Sequence, residues 1–565
     1  MHLDQLFAVS PFPSLVPCGV HSETRHAYRP SRLVIAVLFA LLMTVPLLSQ
    51  ERTPSTPTIN VTTTYVGIGM NSAGAPPSGT RFGVIRFWDT PGTSWPAMQT
   101  ASGTTLTSAG ETAVKAVLSA AYSNSPGNQA VGMYTMSRTP YFATSGTSDT
   151  TCNYYNGSKW GGGSDIYSPG QCDTPSDVAS DGSGTDLNWR NWITGLATFL
   201  NTLTTASHYA QVRYFEPWNE IDRSNSLTNN HATSNLSYSG TDAQLLRMTE
   251  DMRCILTGSG TIHNYPSAGS STACSSSTWT GQSVGLIPSA KVLSPSSHAQ
   301  GTSGAVATST GVIQNFLYCS DSSLPQPDCN WGSGKNWGSS AVDIINFHMK
   351  PGNEAQTGSA TDPETEMATE YSNATTFLDS TDVAKPFWNG EAGYSGNGWT
   401  PASGGDVDLT PYPDQQAAFV ARYMLVQWSL GIQSFNWYQW DNSNFLNGTN
   451  TGTYGSYLDP GKAYSEVSNW MVGRKMSSSG CAVVTGTLWS CTFTLGTWTG
   501  EAFWDTSSSH ECEVTGGGCT TYSYNVPATH SWTLTRTALG VQTSISSPYT
   551  IQVSNLPVII MTGSL

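Results

Sequence analysis

Between residues 62 and 442, short β-type runs alternate with stretches whose apolar residues recur every three or four positions. Eight runs have the β-branched and aromatic make-up of strands: 62–70, 82–88, 131–136, 212–217, 291–294, 342–347, 386–389 and 435–440. In one intervening stretch Trp189, Trp192, Ile193, Leu196, Phe199, Leu200 and Leu203 fall on a single helix face. Residues 243–256 and 415–430 follow the same spacing. Eight strands with amphipathic helices between them predict an α/β chain folded as a (β/α)8 TIM barrel. Such a barrel gathers its functional groups at the C-terminal ends of its strands.

Past residue 442 the period changes. One helical stretch, 461–472, leads into short alternating runs at 482–485, 488–495, 501–505, 520–525, 531–536, 549–554 and 558–561. Short strands with turn residues and no helices predict a small all-β sandwich after the barrel. The expected division is an N-terminal segment at 1–50, the barrel at 51–460 and the sandwich at 461–565. The sandwich is a structural appendage or a carbohydrate-binding module; beyond Trp498, Trp504 and Trp532 no aromatic cluster favours the second. Three long connections rich in Gly, Ser, Thr and Asn, at 143–186, 223–240 and 298–310, follow strands three, four and five. Loops of that length in a compact domain usually build a functional rim or are disordered, and these sit where a barrel forms its cleft.

Charge narrows the partners. The chain of 565 residues carries 38 acids against 23 bases, a net charge of -15. That balance argues against nucleic acid and against an anionic membrane surface. The apolar run 33–43 follows Arg25, Arg29 and Arg32 and precedes Pro46. It is short for a bilayer span and fits the h-region of a signal peptide, with removal near Ser49 or Gln50. The upstream 28 residues are long for an n-region, which leaves a later start or an uncleaved membrane anchor as alternatives. No other stretch is long enough to span, so the mature chain is expected to be secreted. Cys18 precedes the run. Ten cysteines follow it: Cys152, Cys172, Cys254, Cys274, Cys319, Cys329, Cys481, Cys491, Cys512 and Cys519. An even count in an exported chain reads as disulfides, and pairing of sequence neighbours is expected. No CxxC occurs and no His lies at ligand spacing beside them, so neither metal nor cofactor is expected.

Two stretches carry the chemistry. Tyr214-Phe-Glu-Pro-Trp-Asn-Glu220 closes the fourth candidate strand, and Phe387-Trp-Asn-Gly-Glu391 closes the seventh. The ends of strands four and seven face one another across a barrel mouth. Two carboxylates are the minimum equipment for cleaving a glycosidic bond. The 19 Trp supply flat faces of the kind that suit sugar rings, although most aromatics belong to cores. Glu216 and Glu354 are the nearest rival carboxylates, and Glu216 shares strand parity with Glu220. Arg86 lies in an apolar run, where a charge is costly unless paired. A serine hydrolase is disfavoured. The Gly281-Gln-Ser-Val-Gly285 match precedes candidate strand five, whereas a nucleophile elbow follows a strand and opens a helix. No dinucleotide or P-loop pattern stands at a strand-to-helix turn.

With these residues in place, the chain resembles glycoside hydrolase clan A over roughly 62–442, and most closely its family 39-like enzymes. The motifs are Phe82-Gly-Val-Ile-Arg-Phe-Trp-Asp89, Ser137-Arg-Thr-Pro-Tyr141, Glu216-Pro-Trp-Asn-Glu220 and Asn346-Phe-His348. Ala502-Phe-Trp-Asp-Thr506 and Leu556-Pro-Val-Ile-Ile560 look like the sandwich such enzymes carry. The resemblance implies Glu220 as acid/base, with a raised pKa, and Glu391 as ionised nucleophile held by Arg86. It implies Asn219 on the sugar 2-hydroxyl, Trp440 as the floor of the site, and Tyr438 and His348 lining it. It also implies a retaining mechanism, with the carboxyl groups about 5–5.5 Å apart. The chain departs from the pattern at His348-Met-Lys350, where Tyr is common at the third position, and at Asn389-Gly before Glu391, where Thr is common. The expected partner is a polysaccharide or oligosaccharide. A non-catalytic sugar-binding barrel and a transglycosylase using the same carboxylates remain as rival readings. Sugar, linkage and oligomeric state are not written in the sequence.

Overall fold

The computed structural model describes residues 61–88, 90–144, 171–221, 238–265, 270–276, 279, 282–297, 312–319, 336–349, 363–393, 413–441, 458–507, 512 and 519–565. The candidate signal segment and Lys350, Glu354 and Asp89 lie outside them.

Eight parallel strands build the barrel: β1 (Val66–Gly69), β2 (Val84–Phe87), β3 (Val131–Thr135), β4 (Gln211–Glu216), β5 (Lys291–Val292), β6 (Ile345–Phe347), β7 (Phe387–Ala392) and β8 (Ser434–Trp437). Their order in the sheet is β5-β4-β3-β2-β1-β8-β7-β6. A parallel bridge between Leu293 and Ile344 joins the two ends. Asp343 N–H donates to the Val292 carbonyl at 2.7 Å and Ser294 N–H to that of Ile344 at 2.8 Å, closing the ring. Around it lie α1 (Ser108–Asn124), α2 (Leu187–Thr202), α3 (Asp242–Thr257), α4 (Pro363–Thr375), α5 (Pro413–Ser429) and α6 (Asp459–Met471). The apolar face read along α2 is buried, with Trp189, Trp192, Ile193, Leu196 and Leu200 in the core. A capping box starts α3: Thr241 Oγ1 accepts from Gln244 N–H and the Gln244 side chain accepts from Thr241 N–H. Among the described residues no helix is long and apolar enough to cross a membrane.

Several strand bounds differ from the sequence expectation, and three of them bear on the site. β4 stops at Glu216, because Pro217 has no N–H to continue the ladder. β7 runs on to Ala392, so Glu391 lies within it and does not close it. β8 stops at Trp437, which leaves Tyr438 and Trp440 beyond its end.

Inside the barrel, Val84, Met133, Leu293, Ile344 and Trp388 form an apolar plug, with Val131 and Tyr214 against it. Polar side chains replace the apolar ones nearer the C-terminal ends. Gly67 and Gly390 make room there. A Cβ on Gly67 would sit 2.1 Å from Asn436 Oδ1, and one on Gly390 would sit 2.1 Å from Asn346 Oδ1.

The β-rich remainder starts at β9 (Lys475–Thr485) and continues through β10 (Leu488–Leu495), β11 (Trp498–Asp505), β12 (Tyr522–Asn525), β13 (Leu534–Thr537), β14 (Gln542–Ser544), β15 (Thr550–Val553) and β16 (Val558–Met561). Six of these form one sheet, β9-β10-β11-β16-β13-β14, and β12 pairs with β15. Side chains alternate along the strands. Phe503, Val558 and Ile560 meet Val526, Ile551 and Val553 in a core of their own. Ala502, Trp504, Ile559 and Met561 join the core of the barrel. Between the two parts, Trp504 Nε1–H donates to Glu364 Oε1 at 2.7 Å, and Arg422 forks onto the same carboxylate at 2.9 and 2.6 Å. The helix α6, expected at the head of the sandwich, lies against the barrel, its Tyr464 hydroxyl donating to the Gly67 carbonyl at 2.8 Å. Cys254–Cys274, Cys481–Cys491 and Cys512–Cys519 pair as sequence neighbours. Cys172 and Cys319 are also disulfide-bonded. Cys152 and Cys329 lie outside the described residues.

Candidate active site

Five strands of the barrel bring polar groups to one point. Arg86 is the third residue of β2, on the inward side with Val84. Thr135 ends β3 and Glu216 ends β4, and the two are register partners. Asn346 and His348 follow the inward Ile344 at period two on β6 and just past it. Glu391 arrives by a different route. Between β7 and β8, Phe435 pairs with Asn389 and Trp437 with Ala392, so β7 holds one extra residue there. Such a bulge re-aims a side chain. Asn389 faces outward, to Tyr423 Oη at 2.8 Å and Gln427 Oε1 at 2.9 Å. Glu391, at the same parity two residues on, instead meets Arg86.

Arg86 is the hub. Its Nη1 donates to Glu391 Oε2 at 2.7 Å, and its Nη2 donates to Asn219 Oδ1 at 2.7 Å and Glu216 Oε2 at 3.2 Å. The guanidinium is 1% exposed, so these pairs are buried ones. Asn219 and Glu220 follow the end of β4. Glu220 has φ 51°, a left-handed conformation that side chains other than glycine adopt at a cost. Ser296 Oγ accepts from the Glu220 N–H at 3.0 Å and helps hold that turn. The turn aims the carboxylate back over the barrel mouth.

His348 connects the carboxylates. Its Nδ1 lies 3.1 Å from Glu220 Oε1 and 3.8 Å from Glu391 Oε2, and its Nε2 lies 3.9 Å from Glu216 Oε1. Burial pushes the imidazole below its usual range. Glu391 and Glu220 pull it up and Arg86 pushes it down, but burial prevails. The ring is therefore neutral at neutral pH. One oxygen of Glu220, one of Glu391 and a ring nitrogen of His348 all lie within 4.8 Å of one another. Glu220 is the more open carboxylate, with 13% of its side chain exposed against 4% for Glu391.

Three ligand atoms so placed could surround a cation. The guanidinium 2.7 Å from Glu391 already supplies positive charge there and would repel a second one. The donor set fits an arginine-held carboxylate pair better than a metal centre.

The structure thus brings together five of the residues expected from sequence: Arg86, Asn219, Glu220, His348 and Glu391. Tyr438 and Trp440 lie past the end of β8. Tyr438 is half-buried and borders Gly69, where an added Cβ would approach its ring at 3.2 Å. Trp440 is fully buried, its ring 6.2 Å from that of Tyr464 and its backbone N–H donating to the Gly69 carbonyl at 3.1 Å. Sequence reasoning did not assign Thr135, Asn346 or Ser296, and it treated Glu216 only as a rival to Glu220. The signal for Thr135, Glu216 and Asn346 was present: Thr135 and Glu216 are polar residues that close their strands, and Asn346 is the polar residue of a short, otherwise apolar strand. Trp88 was not singled out either. Its ring lies 5.9 Å from the Arg86 guanidinium carbon and 5.2 Å from that of Arg138.

No protein-family model matches the chain, and no curated protein matches it. Solved structures resemble it in fold. A family 44 xyloglucanase from Paenibacillus polymyxa aligns at TM-score 0.47 and 11% identity, covering 90% of this chain and 98% of that one. A conserved exported protein from Bacteroides fragilis aligns at 0.46 and 12%, covering 88% and 92%. A GH30 endoxylanase from Clostridium papyrosolvens aligns at 0.44 and 10%, covering 90% and 98%. At such identities and scores, none lends a substrate or a residue role to this chain.

Proposed function

We propose that this chain is a retaining glycosidase that cleaves β-glycosidic bonds of a polysaccharide or oligosaccharide, with Glu220 as acid/base and Glu391 as nucleophile. One observation carries the reading: the two carboxylates reach within 4.8 Å of one another at the mouth of a (β/α)8 barrel. Retaining enzymes hold them about 5–5.5 Å apart, whereas inverting enzymes leave about 6.5–9.5 Å for a water.

The roles follow from the surroundings. Glu391 is nearly enclosed and bonded to Arg86, which favours its ionised, attacking form. Glu220 is more open and faces a neutral imidazole, whose Nδ1 can accept a hydrogen bond from the protonated carboxyl while the proton stays on Glu220. Two carboxylates this close favour retention of one proton. In the first step Glu391 attacks the anomeric carbon while Glu220 protonates the departing oxygen. In the second, Glu220 takes a proton from water, which displaces Glu391. Asn219, held by Arg86, is placed to bond the sugar 2-hydroxyl. The three disulfides among the described residues support export, as does the apolar run at 33–43.

The test is product release from a panel of polysaccharides and aryl glycosides by wild type, Glu391→Gln and Glu220→Gln. Glu391→Gln should lose activity on every substrate. Glu220→Gln should lose it on poor leaving groups and keep part of it on activated aryl glycosides. Full activity in Glu391→Gln would sink the assignment. A wild type that binds a sugar but releases nothing would leave a carbohydrate-binding barrel, and transfer to added sugar acceptors would mark a transglycosylase.

A further inference from the structure

We propose that Glu216 is a positioning residue for this reaction: its buried carboxylate fixes Arg86 where Arg86 serves Glu391 and Asn219, and its charge helps keep the proton on Glu220. The inference rests on the glycosidase reading and extends it to a third carboxylate. Glu216 is fully buried at the last position of β4. Its Oε2 accepts from Thr135 Oγ1 at 2.5 Å and from Arg86 Nη2 at 3.2 Å, and its Oε1 accepts from Asn346 Nδ2 at 3.0 Å. Donors from β2, β3 and β6 thus occupy both oxygens. A group so enclosed does not reach substrate, and it acts through its neighbours.

The first effect is geometric. Arg86 Nη2 divides its donation between Glu216 and Asn219, while Nη1 goes to Glu391. Without an acceptor at Glu216 the guanidinium loses one of three anchors, and the nucleophile and Asn219 lose their common reference. The second effect is electrostatic. Arg86 and His348 face Glu216, and His348 and Glu391 face Glu220. Arg86 is one cation against the paired carboxylates Glu216 and Glu391. The neutral imidazole adds nothing to the positive side. The negative charge of the Glu216 carboxylate makes loss of the Glu220 proton less favourable.

Glu216→Gln tests both effects with little change of shape. Asn346 Oδ1 has no hydrogen-bond partner among the described residues, so the Asn346 amide can turn to accept from the new side-chain amide. The pH dependence of kcat/KM is to be measured for wild type, Glu216→Gln and Glu216→Asp on one aryl glycoside, with melting curves to establish folding. Glu216→Gln should move both limbs toward acid, the basic limb by about one pH unit, and lower kcat about tenfold with KM changed less than about threefold. Glu216→Asp keeps the charge but withdraws it, so its limbs should stay in place while kcat falls about tenfold. A Glu216→Gln profile that superimposes on wild type overturns the proposal. If Glu216→Gln does not fold, Glu216→Asp decides, and a kcat within about twofold of wild type overturns it. Retained activity in Glu391→Gln would instead sink the glycosidase reading, so the two failures are distinguishable.

Discussion

Arg86→Lys separates the geometry of the hub from its charge. Two guanidinium nitrogens make three bonds, at 2.7, 2.7 and 3.2 Å, to acceptors on β7, past the end of β4 and at that end. Lysine keeps the positive charge but presents it from one nitrogen on a shorter fork-less stem. That nitrogen cannot hold both the Glu391 and Asn219 positions. At least one charge-assisted bond is lost, at about 1.5–3 kcal/mol. If the loss falls on Glu391, the nucleophile drifts, and a displacement of about 1 Å costs about a hundredfold in rate. The expected result is a kcat about a hundredfold lower, equivalent to about 2.7 kcal/mol, with KM changed less than about threefold. Steady-state hydrolysis of the aryl glycoside that wild type cleaves best gives the ratio, and a melting curve at the same pH shows that the variant is folded. Arg86→Ala should be worse on both counts, because it takes the guanidinium away from two buried carboxylates, at about 3–5 kcal/mol. An Arg86→Lys enzyme within about threefold of wild type would refute the claim that fork geometry positions the nucleophile.

The other expectations concern stability, packing and metal. His348 binds its proton at lower pH folded than unfolded, so the stability it confers is present above about pH 6.5 and lost as pH falls, at up to about 1.4 kcal/mol per pH unit. The drop in Tm from pH 7 to pH 5 should therefore be smaller in His348→Gln than in wild type, and an equal or larger drop contradicts the sign. Glu364→Ala removes the carboxylate that the buried Arg422 and the Trp504 indole share, and should cost about 3–5 kcal/mol and speed cleavage by protease between barrel and sandwich; unchanged melting would show the clamp to be idle. Gly390→Ala places a Cβ 2.1 Å from Asn346 Oδ1, so it should lose about 1–3 kcal/mol and most of its activity, and a normal kcat would mean that β7 yields there. Prolonged dialysis against EDTA should leave activity intact; a loss reversed by one divalent cation would turn Glu220, His348 and Glu391 into a metal site.

Much of the barrel was legible because its strands and helices announce themselves locally. The alternation of β runs with the 3.6-period face of Trp189, Trp192 and Leu196 needs no knowledge of distant residues. The three disulfides among the described residues paired as read because each joins cysteines close in sequence. Arg86 stood out as a charge in an apolar strand, and its partners prove to be buried carboxylates. What stayed hidden depends on two strands at once. The bulge that turns Glu391 inward is a property of the β7–β8 register, and nothing in Phe387-Trp-Asn-Gly-Glu391 alone reveals it. Parity between Glu216 and Glu220 misled for a related reason. β4 ends at Glu216, so strand alternation no longer governs Glu220, which the φ 51° turn redirects. The same lapse of parity beyond Trp437 weakens any inference from strand alternation about Tyr438 and Trp440. α6 reads as an amphipathic helix in sequence, but only its partner, the barrel, shows where it belongs.

A double displacement through Glu391 inverts the anomeric centre twice and so retains its configuration. The most direct measurement is a proton NMR time course of the anomeric signals during the first minutes of hydrolysis of the preferred β-glycoside by wild type. Double displacement releases the β-anomer first, and the α-anomer grows in only later by mutarotation. Initial release of the α-anomer would contradict it, since a single displacement by water inverts the centre and leaves Glu391 no nucleophilic role.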